Sequence, residues 1–273
     1  MSFLSAETSH LGSPIETFEF DLGGLKRWYY TSADEDVDTG TIIFGAVAIK
    51  RAEIEYTHDI GRNSLEITAQ RDLAVADLFK AGTPSAVLSL TIRRMHRDDG
   101  VSGVIWIGRV IDCKWSSTEV TMTCEPIRSS MQNPGLRRFF QRQCPHVLYG
   151  ADCGVNNLTH RVAGTSASVT SNTVTVSGAS GYTADRFAGG YVEWTNPNTG
   201  TQERRAIRSS TSGSLVVTTL EAITGLLDGI PVEVYPGCNH TMDHCSGRFS
   251  NAANFGGMPH TPTKNPFDGT PIY

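Results

Sequence analysis

Four of the six cysteines in this chain of 273 residues, Cys144, Cys153, Cys238 and Cys245, fall in two short loops rich in turn-forming glycine and asparagine. Eight residues separate the first pair and six the second, and about eighty residues that read as β structure lie between the pairs. Four thiolates gathered from two such loops form the donor set of one metal centre whose ligands are distant in sequence. Compact zinc knuckles place their ligands closer, with ~2–4 residues between them, because a tight turn lets backbone amides point at both sulfurs. Wider loops suit a larger object. A cubane iron–sulfur cluster takes thiolates at well-separated corners and needs loops long enough to wrap it. The spacing by itself leaves an iron–sulfur cluster, zinc and buried unliganded thiols all open.

The neighbouring side chains offer less chemistry. His146, His240, His244 and His260 could replace a thiolate at zinc, but four thiols already complete a tetrahedral shell, which assigns the histidines to turns and outer hydrogen bonds. Cys113 and Cys124 flank the Ser116–Ser117–Thr118 turn on adjacent strands and read as core packing, with a disulfide as the alternative. The chain has no H-E-x-x-H, G-x-S-x-G, P-loop or G-x-G-x-x-G motif, and Cys144 lies too near His146 in one turn for a nucleophile–base pair. No residue is assigned a catalytic role. The acidic run Asp34, Glu35, Asp36 and Asp38 lacks the bidentate glutamate of a calcium loop and reads as a solvated turn.

The elements that must position these loops are mostly strands. Glu16 to about Glu125 alternates apolar and polar residues in seven short segments, which read as a barrel or sandwich interrupted by one short helix at Val75–Lys80. Asn133, Pro134 and Gly135 form a helix start, and the run LRRFFQRQC is expected to be helical until Pro145, with Phe139 and Phe140 packed inward and Arg137, Arg138 and Arg142 outward. That helix would deliver Cys144. A second β set spans Ala163 to Val234, with a hairpin turn at Asn196–Gly200. The resulting division is an N-terminal β domain at 1–132, a cysteine-rich domain at 133–160 and 236–273, and an inserted β domain at 161–235. The last residues are proline-rich and read as extended.

Composition narrows the classes. Hydrophobic residues make up 39% and charged residues 19%, which fits a folded β-rich chain and excludes a disordered one. The longest apolar runs are strand-sized, so no transmembrane segment is expected. The first residues lack a basic stretch followed by an apolar one, implying synthesis in a reducing cytoplasm and favouring metal ligation over disulfides. A net charge of −5 spread over both halves gives no general attraction to nucleic acid.

The run CPHVLYGADCGV, the β insertion, the second cysteine pair and the following FSNAANFGGMPHTP resemble the carboxyl-terminal region of a phage-tail family. That family includes the lambda-type minor tail protein L and the hub protein of gene-transfer agents. The segments YYTSADEDV, IKRAEIEYT and GVIWIGRVIDCKW upstream are similar too, and the N-F-G-G-x-P motif at Asn254–Pro259 is the specific part. The resemblance implies a non-enzymatic siphophage tail-tip hub protein. It would form a homotrimer between the distal tail protein and the central fibre-bearing tail-tip protein, within a virion assembled in the bacterial cytoplasm. It also implies a 4Fe–4S cluster on Cys144, Cys153, Cys238 and Cys245, with zinc as the alternative. An envelope-degrading metal hydrolase and a redox protein are the competing readings.

Overall fold

The computed structural model describes residues 14–55, 64–80, 82–96, 102–132, 135 and 139–262. The chain falls into two compact units, one of residues 1–133 with 196–203 and the other of residues 134–195 with 204–273. The first is a nine-stranded sheet built from β1 (Pro14–Leu22), β2 (Lys26–Thr31), β3 (Val37–Asp38), β4 (Ile43–Ala46), β5 (Ile49–Arg51), β6 (Leu65–Gln70), β7 (Leu88–His96), β8 (Ser102–Trp115) and β9 (Glu119–Pro126). Its strand order is β3-β4-β2-β1-β7-β8-β9-β6-β5, and its pairs are antiparallel except β2 with β4.

Alternation along β1 turns Phe18, Phe20 and Leu22 inward, where they meet Ile67, Leu90, Ile92 and Met122 in one core. Near the start of the same strand Glu16 lies opposite Arg94 and binds both it and Arg51, at 3.0 and 2.6 Å. The acidic run is a turn whose carboxylates cap backbone: Asp36 accepts from the Ala46 amide and Asp38 from Gly40. Cys113 and Cys124 are free and buried, opposite Met122 and Val110 respectively. Burial pushes the Cys113 thiol up to about 12 and raises Cys124 as well, so both behave as small core hydrophobes.

The second unit holds β10 (Val162–Ala167), β11 (Thr173–Tyr182), β12 (Tyr191–Thr195), β13 (Gln202–Ser210), β14 (Gly213–Thr219) and β15 (Pro231–Tyr235), which close in the order β10-β11-β14-β13-β12-β15. Val174, Val176, Trp194, Ile207, Leu215 and Val234 fill the interior. Closing so few strands needs sharp local bending. β11 supplies it with register shifts between Val176 and Tyr182, next to Gly178 and Gly181 at positive φ. The protein is thus mainly β, but the closed barrel is the second β set, and the amino-terminal strands form a large sheet.

The helix expected over LRRFFQRQC is absent at Phe139–Cys144; Asn133, Pro134 and residues 136–138 lie outside the described residues, as does the tail from 263. Phe139 and Phe140 do not pack inward: they are 78% and 86% exposed. The short helix near Val75 is a 3-10 turn at Ala76–Phe79. No helix among the described residues is long and apolar enough to cross a membrane.

Candidate metal centre

Four backbone devices deliver the four thiols. Cys144 lies on an extended segment tied to the 238–241 turn, where its amide donates to the His240 carbonyl at 2.9 Å and its carbonyl faces His240 Nδ1 at 3.0 Å. His240 takes φ +61°, which turns the chain back after Cys238. Cys153 ends a tight turn in which Tyr149 and Gly154 have positive φ and the Gly154 amide closes onto the Gly150 carbonyl. Cys238 follows β15 through Pro236 and Gly237. Cys245 sits in α2 (Met242–Phe249), which follows the single turn α1 (Asn157–His160). The Thr241 hydroxyl caps α2 by accepting from the His244 amide, and Ser250 ends it in the left-handed conformation.

All four thiols line one enclosed cavity with Leu148, Val155 and Phe249. Three of the sulfurs face N–H donors: Gly256 donates to Cys144 Sγ at 3.4 Å, His240 to Cys238 Sγ at 3.3 Å, and the Asn251 amide to Cys153 Sγ at 3.8 Å. Donors aimed at sulfur stabilise thiolate over thiol. Burial raises Cys238 and Cys245, and the neighbouring cysteines push in the same direction, so the four feel one another's charge. A cation shared among them removes that repulsion. Among the described residues no group of three or more His, Cys, Asp or Glu converges as one metal ion would require.

The N-F-G-G-x-P motif closes the cavity. The Met258 amide donates to the Gln141 carbonyl at 2.8 Å, Arg142 donates to the Pro259 carbonyl, and His146 Nδ1 lies 3.1 Å from the Asn254 carbonyl. A Cβ on Gly256 would overlap the His146 ring, and one on Gly257 would lie 2.6 Å from the Arg142 carbonyl oxygen. Gly256 is therefore set by the His146 ring and Gly257 by close backbone approach, and His146 and His240 position loops.

Tyr149 fixes the centre to the barrel. Its hydroxyl donates to the Pro236 carbonyl at 2.8 Å, and its ring meets Tyr191, Tyr235 and Phe249 edge-on. Beside it Arg248 donates to the carbonyls of Arg186 and Gly237 at 2.7 and 2.9 Å. Sequence reasoning passed over Arg248, whose signal was its place one turn after Cys245 in a capped helix.

Comparison with known proteins agrees with this architecture. Residues 17–156 match the family model described as baseplate hub protein, N-terminal attachment domain, and residues 185–265 match phage conserved hypothetical protein BR0599. An uncharacterised protein of Xylella fastidiosa (strain 9a5c) is 28% identical over 182 residues, which is 60% of this chain and 37% of that relative, so the chain spans little more than a third of its length. A chain in the virion of a native gene transfer agent particle superimposes with a TM-score of 0.78 at 15% identity, covering 100% of this chain and 99% of the other, which establishes a shared fold. With a matched model extending over half of its residues, the chain belongs to the phage baseplate hub family carrying the N-terminal attachment domain, a structural component of the virion tail.

Proposed function

We propose that this chain is the hub subunit of a siphophage-like tail tip, a homotrimer linking the distal tail protein to the central fibre-bearing protein, in which a 4Fe–4S cluster on Cys144, Cys153, Cys238 and Cys245 acts as a structural staple. The observation that carries the metal reading is the meeting of four sequence-distant thiols on one cavity, with N–H groups turned toward three of them. The cluster would tie the cysteine-rich segments at 133–160 and 236–273 together at the point where the inserted β domain at 161–235 leaves and returns. Four thiolates leave no open coordination position for substrate, which favours a structural role over hydrolysis.

Metal analysis of anaerobically purified protein tests this reading. Brown protein with broad absorption near roughly 400 nm and about four irons per chain is the expected result. Colourless protein with one zinc would keep the staple and remove the cluster. Folded protein with neither metal would overturn the reading.

Assembly supplies a second test. Two adjacent phenylalanines so exposed contribute little to the isolated fold and gain most when another tail protein covers them. The double variant Phe139→Ser with Phe140→Ser should retain its thermal transition within ~0.5 kcal/mol and fail to enter tails. Normal particles from it would remove these residues from the assembly surface.

A further inference from the structure

Three of the four thiols ride on packed elements, and one does not. Cys153 and Cys238 belong to the small apolar cluster with Val155 and Phe249, and Cys245 is buried on the capped helix α2. Cys144 stands outside that cluster, on a run at 139–146 in which no residue is fully buried. The run at 254–260 has no fully buried residue either. These two runs hold each other. The Met258 amide donates to the Gln141 carbonyl, Arg142 to the Pro259 carbonyl and the Gly256 amide to Cys144 Sγ, and His146 Nδ1 faces the Asn254 carbonyl. Beside them lies an open groove of about 690 Å3, lined by both runs and by Thr241, Met242 and Asp243 at the start of α2.

Hydrogen bonds between loops contribute little net stability, and with so little apolar surface buried they barely offset the entropy of ordering both runs. Segments of that kind open locally, well before a packed core does. We infer that 139–146 and 254–260 form a strap that opens as one unit in the folded protein, and that Cys144, carried on it, is the last ligand to close the metal centre. Opening breaks the two bonds between Cys144 and His240 and leaves Cys153, Cys238 and Cys245 on their own elements. Metal then enters on the Cys144 side. The strap itself needs no metal; the closing role of Cys144 rests on the metal reading proposed above.

Hydrogen exchange read by mass spectrometry on the full-length chain, prepared without metal, tests the strap. Peptides covering 139–146 and 254–260 should exchange at one common rate, at least about tenfold faster than those covering β15 and α2. In Gly257→Ala the new Cβ would lie 2.6 Å from the Arg142 carbonyl oxygen, so both runs should exchange faster again while β15 and α2 stay unchanged. Different rates for the two runs, or α2 opening in step with them, would overturn the strap. Should Gly257→Ala fail to fold, the wild-type order decides. Metal uptake tests the ligand. Cys144→Ser should still take up zinc or iron, through three thiolates and one open position, where Cys153→Ser takes up none. Equal loss in both variants overturns the closing role of Cys144. Wild-type protein that takes up no metal overturns the metal reading and that role with it, while the strap stands or falls on the exchange rates.

Discussion

Cys245→Ser is expected to abolish binding of the proposed metal and unfold the segments around it, while the nine-stranded sheet stays folded. The reason is the small size of the local core. Among the described residues around the four thiols, Cys153, Val155 and Phe249 form one small buried cluster, with Leu148, Tyr149 and Cys238 partly covered against them. Burying Val155 and Phe249 contributes about 2–3 kcal/mol each, and ordering each backbone residue of these loops costs about 1–2 kcal/mol. A structural thiolate site supplies on the order of 10 kcal/mol, all of it folding energy because the unfolded chain has no preformed site. Cys245 is the thiol to test because its helix also carries Arg248 and Phe249. The first unit owns a separate core around Phe18, Phe20, Ile67 and Met122, so its melting should be unaffected. Limited proteolysis of wild type and variant makes the comparison. Rapid cleavage within 139–160 and 236–262, leaving residues 14–132 protected, is the expected pattern, and equal resistance of both proteins would rule the staple out.

The parts legible in the sequence were those set by local periodicity and by residue type. Strand alternation identified both β sets, and the turn Asn196–Gly200 was readable because Gly200 takes φ +72° and its amide closes onto the Asn196 carbonyl. Which set closes into a barrel was not readable. Closure depends on stagger between strands, and an inward-facing residue alternates in the same way in a barrel and in an open sheet. The segment LRRFFQRQC carried helical signals, but the backbone at Gln141–Cys144 is committed elsewhere: Met258 donates to the Gln141 carbonyl and Cys144 donates to His240. Those partners lie about a hundred residues away, beyond any local propensity. Helix α2 was passed over for the opposite reason. Its Thr241 cap was present, but the six residues between Cys238 and Cys245 were read only as a ligand loop. The cysteines stood out because thiols are rare and their chemistry specific, whereas the arginines and glycines that support them are common residues whose roles come from tertiary contact alone.

Gly237→Ala should destabilise the barrel and the cysteine-rich segments together, by about 3 kcal/mol or more, at the upper end of overpacking costs. Between β15 and Cys238 the chain passes directly along the Ala188–Gly190 backbone. A Cβ on Gly237 would overlap the Ala188 carbonyl, and one on Gly190 would overlap the Tyr235 carbonyl. Neither obstacle is the flexible end of a side chain, so relief requires two backbone segments to separate. Separation would draw the Gly237 carbonyl away from Arg248 and shift Cys238. Gly247→Ala is the matched control. Gly247 lies in α2, and outside its chain neighbours and its own helix backbone no atom comes within 4 Å of where its Cβ would stand. Alanine there should stabilise the helix by up to about 1 kcal/mol. Thermal melts and metal content of the two variants, measured side by side, should therefore move in opposite directions. Equal melting temperatures for both would mean that the backbone contact at Gly237 does not couple the barrel to the centre, and the coupling would then rest on Tyr149 and Arg248 alone.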